Sequence, residues 1–492
     1  MISPAASSLP VLTNEVCSMS FAMPVTTRRK HNLQMQTSPV TSSVSSGSAP
    51  DTRLEGTIST TYASTSSGLD LHHPTTSSSA STSSARHQEQ SHILQSTTVH
   101  KITPAEATRI LNEQAVDISS IPSIECSGIC KVQIATLPAN EQNEDTYAYD
   151  FLPDAFTKYG DGAGVGVQEK NWSFFAVYDG HYGPSTSTYL KSALIPAVYT
   201  SLLNLYKSHL PGQPPTSLVT STISTAFTTL DSTLTSIAIP SSTQGSCALL
   251  TFYDTRHNRL FTACTGDSRS ILGKRLGSPS NTRWLSRPLS IDQNFASNPS
   301  EVTRVESEHP GEKDVIIQGR LIGDLAVSRA FGNRRFKVPD ELGGKTTRNK
   351  RQYGVLKSPP YITAEPVITV HEGVKDGDFV LLATDGLWDF LSSEDAVALV
   401  GRWTDEHITP ALRGSNNNTN GSGSKRKTKL TSSQEEIYVF EKDPNVGVHL
   451  IRNALGGARE GKLLFTLGLE PGINKAKKHR DDITVLAVFF GS

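Results

Sequence analysis

Two apolar runs far apart in the chain, Phe174-Phe175-Ala176-Val177-Tyr178 and Val380-Leu381-Leu382-Ala383-Thr384, stop on the same dipeptide, Asp179-Gly180 and Asp385-Gly386. Unbroken apolar runs of this length read as strands covered on both faces. Two further acid pairs stand beside strand patterns: Glu144-Asp145 before Thr146 to Tyr149, and Asp481-Asp482 before the apolar run Ile483 to Phe490. A single Asp-Gly is an ordinary turn signal. Four acid sites at strand ends are a stronger constraint, because strand ends gather at one edge of a sheet and glycines there let backbone carbonyls come close to a ligand.

Carboxylates brought together in this way repel by roughly 1–4 kcal/mol per close pair at effective dielectrics between water and a protein surface. A chain that collects them must supply cations. Oxygen-only donors select hard ions such as Mg²⁺ or Mn²⁺. Zinc would call for His or Cys ligands that the pattern lacks.

Around these points the periodicity alternates between sheet and helix. Thr103-Pro104-Ala105-Glu106 opens a capped helix running to about Gln114. Strand patterns follow at Lys131–Ala135, Thr146–Tyr149 and Trp172–Tyr178, then helical spacing at Ser185–His209 and Ser217–Ile239. Strands are expected again at Ala248–Tyr253 and Leu260–Cys264, with a turn between them at Asp254–Asn258. A strand at Phe379–Thr384, a helix at Ser393–Arg402 and the closing strand Ile483–Phe490 complete the series. Such an order implies layers of sheet and helix around a shared core.

Composition sets the limits of this unit. The first hundred residues are Ser/Thr-rich with few large apolar side chains and are expected to be disordered, which leaves 101–492 for the folded domain. Polar inserts at 341–352 and 410–434 are expected to be mobile surface loops. The second carries the basic run Lys425 to Lys429 and two Asn-linked glycosylation sequons, to which no role is assigned without a secretory signal. A formal net charge of −1 gives no reason to expect nucleic acid as a partner. Five cysteines without a CxxC pair fit reduced thiols, and no apolar run is long enough for a transmembrane helix. Glu15 is the single carboxylate among the first fifty residues, and Arg28, Arg29 and Lys30 lie among hydroxyl residues. That pattern suits a mitochondrial presequence, and equally a plain tail, since Pro4, Pro10 and Pro24 interrupt any amphipathic helix.

The segments Asn143-Glu144-Asp145, Val177-Tyr178-Asp179-Gly180-His181, Thr265-Gly266-Asp267-Ser268-Arg269, Leu325 to Gly332, Ala383 to Asp389 and Arg480 to Val485 stand in the order found in PP2C-type protein phosphatases, and the chain from about 130 to 492 resembles that family. The resemblance implies an α+β fold, a four-layer αββα sandwich of two mostly antiparallel sheets flanked by helices, with two Mg or Mn ions at one end. It implies that Asp179 bridges both ions, that Gly180 offers its carbonyl oxygen, and that Asp145, Glu144 through water, Asp385 and Asp481 complete the shells. Asp267, Asp385 and Asp389 match the acids of a third, weaker ion. Bound metal would activate water for direct attack on a phosphoserine or phosphothreonine ester. His181, two residues from Asp179, is the expected general acid for the leaving oxygen.

The chain departs from the family at two places. Five residues before Asp145, where many members carry a phosphate-gripping arginine, stands Asn140, the candidate for substrate contact. Asn333 stands where Asp often follows Ala-Phe-Gly. With Asn140, the helix around Ala107–Glu113 and the segments Leu289–Asn294 and Glu308-His309-Pro310, the chain is similar to the pyruvate dehydrogenase phosphatase branch. That branch implies the phosphorylated E1 subunit of pyruvate dehydrogenase as substrate and the mitochondrial matrix as compartment, with another phosphoprotein and the cytoplasm as the alternatives.

Other classes explain less. A two-carboxylate glycosidase has no use for four acid sites and His181. Gly344-Lys345-Thr346 is not a P-loop, because that spacing needs glycine where Pro339 stands. HExxH and GxSxG are both absent. A binding protein that kept the fold and lost turnover would be free to lose Asp145, Asp179, His181, Asp385 or Asp481, and all five are present.

Overall fold

The computed structural model describes residues 99–119, 127–160, 169–236, 243–277, 283–339, 357–408, 431–440, 443–472 and 476–491. The Ser/Thr-rich N-terminal region, the 341–352 insert, the basic run and the sequons lie outside the described residues. Of the 410–434 insert, only Thr431–Gln434 falls within them, as the cap and start of the helix Ser432–Ile437.

Two antiparallel sheets form the centre. The six-stranded sheet runs Val116–Ile118, Ile129–Leu137, Ile483–Phe490, Phe379–Ala383, Arg269–Leu276 and Arg283–Pro288 in neighbour order. The five-stranded sheet runs Val367–Glu372, Arg259–Thr265, Ala248–Asp254, Asn171–Tyr178 and Thr146–Pro153.

Side-chain alternation along single strands explains the layers. In Ile483–Phe490, the residues Ile483, Val485, Ala487 and Phe489 enter one core, while Leu486, Val488 and Phe490 enter another. The first core packs the six-stranded sheet against the helices Pro104–Asn112, Ser393–His407, Val446–Leu455 and Glu460–Leu467. The second lies between the sheets, where Leu486 and Val488 meet Phe175, Val177 and Leu249. In Asn171–Tyr178 the other face, with Trp172, Phe174, Ala176 and Tyr178, packs on the helices Ser185–Lys207 and Thr216–Ser236. The order is helix, sheet, sheet, helix, the expected αββα sandwich.

Both sheets bury both faces, so their central strands read as continuous apolar runs. The first helix carries its capping box as expected, Thr103 accepting from Glu106 N while the Glu106 carboxylate accepts from Thr103 N. It ends at Asn112, two residues early. The expected Ser393–Arg402 helix continues to His407, and the expected Ser217–Ile239 helix is described as Thr216–Ser236. The turn at Asp254–Asn258 is present, with Asn258 at φ 50°.

Candidate metal and phosphate site

Strand registers bring the acid sites to one end of the sandwich. Thr146 pairs with Tyr178, so Asp145 enters and Asp179 leaves the five-stranded sheet at the same edge. Ala248 pairs with Thr265 there as well, and Asp267 lies on the three-residue crossing from that strand to Arg269 in the other sheet. Ala383 pairs with both Val485 and Arg269, which puts Asp385 and the Asp481-Asp482 pair at the matching end of the six-stranded sheet.

Two glycines are required by this convergence. A Cβ on Gly180 would strike the Glu144 carbonyl, and one on Gly386 would strike the Asp482 carbonyl. Thr384, fully buried, joins the two sheets: its hydroxyl donates to Asp145 Oδ2 at 2.7 Å and accepts from Thr484 N at 2.9 Å.

The carboxyls feel one another strongly. Burial first, then the charges of Asp385, Asp145, Asp481 and Asp267, push Asp179 well above the usual carboxylate range. Asp385 is raised by burial and by Asp267, Asp481, Asp389 and Asp145. Asp145 is raised by burial and then by Asp482 and Asp481, against the hydrogen bond from Thr384. Burial pushes Asp267 up to about 6. Glu144 and the exposed Asp389 are raised, each first by burial. Asp179 Oδ2 is buried and makes no hydrogen bond. An unpartnered buried carboxylate oxygen amid four like charges is the donor chemistry of a hard divalent cation, and the residues fit such ions.

His181 lies beside this cluster on a short strand that pairs with Gly245-Ser246, which in turn pairs with Phe331-Gly332. Its Nε2 is 2.8 Å from Asn333 Oδ1. Asn333 Nδ2 donates to the Thr243 carbonyl at 2.7 Å, so Oδ1 must be the acceptor and His181 Nε2 the donor. Asn333 reaches this position in a left-handed conformation, φ 47° and ψ 45°, which asparagine tolerates. The departure from Asp at this position thus fixes one imidazole tautomer. Burial, reinforced by Arg335, Lys477 and Lys337, lowers the His181 pKa to about 4 against the opposing Asn333 hydrogen bond.

Asn140 is placed differently from a substrate contact. It is buried, and its Nδ2 donates to Asp482 Oδ2 at 2.8 Å and to Glu144 Oε2 at 3.2 Å. Asp482, 2% exposed, also accepts from the backbone nitrogens of Ala139, of Asn140 at 3.0 Å and of Glu144 at 2.9 Å. The acid pair therefore divides: Asp481 faces the cluster, and Asp482 ties down the loop that delivers Glu144 and Asp145.

Three residues here escaped the sequence reading. Asp482 was visible only as half of a pair. Cys247 lies with its sulfur and the Asp179 and Asp267 carboxylate oxygens within 4.8 Å of one another, its thiol 3.5 Å from Asp267 Oδ1. A lone cysteine in an apolar stretch carries no signal of that. Lys477, whose Nζ bonds Asp481 Oδ1, belongs to a run of lysines that reads as solvated surface. Cys130, Cys247 and Cys264, the cysteines among the described residues, are all unpaired thiols.

Comparison with known proteins gives these observations a family. The Protein phosphatase 2C model matches residues 147–417. A protein phosphatase 2C homologue of Schizosaccharomyces pombe is 36% identical over 66% of this chain and 74% of its own length. The mitochondrial pyruvate dehydrogenase (acetyl-transferring) phosphatase 1 of Saccharomyces cerevisiae is 32% identical over 74% of this chain and 69% of its own. Among solved structures, a serine-threonine phosphatase 2C from Toxoplasma gondii is similar with a TM-score of 0.45 and 16% identity, over 76% of this chain and 99% of that one. No helix among the described residues is long and apolar enough to cross a membrane. With the family model covering more than half of its length, the chain belongs to the protein phosphatase 2C family and is a phosphoprotein phosphatase.

Proposed function

We propose that this phosphatase is Mg- or Mn-dependent, hydrolyses phosphoserine and phosphothreonine esters by direct attack of water, and acts on the phosphorylated E1 subunit of pyruvate dehydrogenase in the mitochondrial matrix. The observation that carries the metal dependence is the unpartnered Asp179 Oδ2 within a ring of raised carboxyls. Asp145, Asp179, Asp385 and Asp481, with the Gly180 carbonyl and Glu144 through water, would hold two ions, and Asp267, Asp385 and Asp389 a third, weaker one. When bound, these ions supply activation of the attacking water and neutralise phosphoryl charge.

The chain's own residues do the rest. Asn333 orients the imidazole of His181, which stays neutral until a phosphate dianion adds the negative charge that favours its protonated form. His181 then hands a proton to the departing Ser or Thr oxygen. Asp482 and Asn140 hold the 139–145 loop against the cluster, and Thr384 holds Asp145 to the opposite sheet.

Substrate and compartment rest on the branch resemblance and on what the yeast relative's name says of that protein. Hydrolysis of a phosphoserine peptide from the E1 subunit, compared with unrelated phosphopeptides in Mn²⁺ and in EDTA, tests both parts. Mn²⁺-dependent turnover with a preference for the E1 peptide is the expected result. Turnover unaffected by EDTA would refute the metal chemistry, and absence of preference would refute the substrate. Residues 1 to 60 fused to a reporter should enter mitochondria; a diffuse cytosolic signal would overturn the compartment.

A further inference from the structure

Substituting Asn140 for the family's arginine leaves the substrate's phosphate without its usual partner, and Asn140 does not take over, since its amide is spent on Asp482 and Glu144. We propose that Lys477 is the residue that grips the substrate phosphate, an inference that rests on the phosphatase reading above.

Position argues first. Lys477 lies on the short 3-10 turn Ala476–Lys478, and Ala476 is buried against Ala139, the neighbour of Asn140. Lys477 N donates to the Gly472 carbonyl at 3.1 Å, and Gly472 N donates to the Ala139 carbonyl at 2.8 Å. The turn is therefore docked on the very loop from which the arginine is missing. From there the Lys477 ammonium bonds Asp481 Oδ1, and its charge bears on Glu144, Asp179, Asp389 and His181. A dianion held between the acid cluster and His181 would lie among these same groups.

Chemistry argues second. An ammonium on a four-carbon stem is a compact point charge with three donors that can turn from one oxygen to another. Lys477 keeps 29% of its side chain exposed. Once a divalent cation shares the charge of Asp481, the ammonium has reason to turn to phosphate.

Elimination argues third. Arg335 is 2% exposed, packed 4.9 Å from the Tyr182 ring and 4.4 Å from the Phe336 ring, and paired with Asp324 at 2.8 Å. Lys337 is held by Asp231 and the Ala330 carbonyl, both at 2.6 Å. Arg480 is buried and donates to the Pro138 carbonyl at 2.7 Å, and Arg269 forks onto Asp292. Arg335, Lys337 and Arg269 have their ion-pair partners outside the acid cluster, and Arg480 meets Asp481 only through its backbone carbonyl, 3.5 Å from Nη1; among these cations Lys477 alone bonds a cluster carboxylate.

The test uses the full chain and the variants Lys477→Gln and Lys477→Arg. Inorganic phosphate binding to the Mn²⁺-loaded protein and Mn²⁺ binding itself are measured by calorimetry, and kcat and KM are measured on a phosphothreonine peptide. Loss of one charge-assisted contact should weaken phosphate binding and raise KM in Lys477→Gln by about ten-fold or more, with kcat falling far less. Lys477→Arg should recover most of the phosphate affinity, and Mn²⁺ affinity should not fall in either variant. Unchanged phosphate affinity and KM in Lys477→Gln, with or without tighter Mn²⁺ binding, would overturn the proposal and reduce Lys477 to a counter-charge for Asp481. The two readings fail separately. A wild-type protein that hydrolyses phosphopeptide while Lys477→Gln matches it refutes only the lysine; one that binds phosphate through Lys477 without metal-dependent turnover refutes only the phosphatase chemistry.

Discussion

Asp482→Ala removes an acceptor that four donors share. The lost partners are the backbone nitrogens of Ala139, Asn140 and Glu144 and the side-chain nitrogen of Asn140. Hydrogen bonds to a charged acceptor contribute about 1.5–3 kcal/mol each, so simple addition would give roughly 6–12 kcal/mol. Two corrections reduce that figure. Glu144 is only partly buried, so its nitrogen can recover water, and removing a 2% exposed carboxylate also removes its desolvation cost. A net loss of about 3–5 kcal/mol remains, large for one substitution. Denaturant unfolding of the metal-free protein should register it as a lower midpoint with an unchanged slope. Calorimetry should register weaker Mn²⁺ binding as well, because the loop carrying Glu144 and Asp145 loses its anchor. A loss below about 1 kcal/mol with wild-type Mn²⁺ affinity would refute the assignment of Asp482 as that anchor.

Asp179→Asn should abolish turnover and sharply weaken Mn²⁺ binding, measured by peptide hydrolysis and calorimetry; wild-type rates would sink the mechanism. His181→Ala should keep Mn²⁺ affinity while slowing hydrolysis, with most of the loss recovered on substrates whose leaving group needs no proton, such as a nitrophenyl phosphate. Asn333→Ala should act in the same direction but more weakly, since it frees the imidazole without removing it. The pH dependence of the metal-free protein follows from the raised carboxyls. Asp267 titrates near 6 when folded and from 3.8 in its ordinary state, so the folded form binds more protons in that interval. Its contribution is fully present below the lower value and is lost as pH rises through the upper one. Asp145, Asp179 and Asp385, raised well above 3.8, extend the decline to higher pH. His181 and His449, each lowered to about 4 from 6.5, act in the opposite direction below 6.5, so the carboxyls are read above that value: unfolding in EDTA should become easier as pH rises above 6.5, and Mn²⁺ should remove most of that decline; a flat profile in EDTA there would count against the clustering.

Legibility followed burial. Ile483–Phe490 was readable to the residue because both of its faces are covered and all eight side chains are buried. Arg283–Pro288 escaped, being an edge strand with mostly exposed polar residues, and so did Val367–Glu372 at the edge of the other sheet. The helix Val446–Leu455 also escaped: all ten residues are buried, and its polar stripe of His449, Arg452 and Asn453 faces Asp443 and the Val439 carbonyl rather than solvent. At the site, residue types at strand ends gave away the acids, since strand ends must meet at an edge. Which oxygen faces inward depends on backbone direction at a single residue. That is why the residue pattern alone could not separate Asp481 from Asp482, a choice that only the family resemblance made, nor distinguish Asn140 from a substrate contact.

The strands also explain why the carboxyls stay together. Tyr178, Ala383 and Ile483, one residue from the acids or their connecting turns, are fully buried in cores on both sides of the sheets. Moving Asp179 away from Asp385 would require sliding one sheet along the other, against the packing of Val177 and Phe175 on Leu486 and Val488. Thr384 opposes the same motion directly, holding Asp145 of one sheet and Thr484 of the other through a single hydroxyl. Repulsion that cannot relax by geometry is relieved by protons at low pH and by divalent cations at neutral pH. Metal affinity would in this sense be produced by the hydrophobic layers, which hold the acids closer than they would stand alone, and the proposed phosphate-gripping Lys477 on the turn beside them would have only to add charge of the opposite sign.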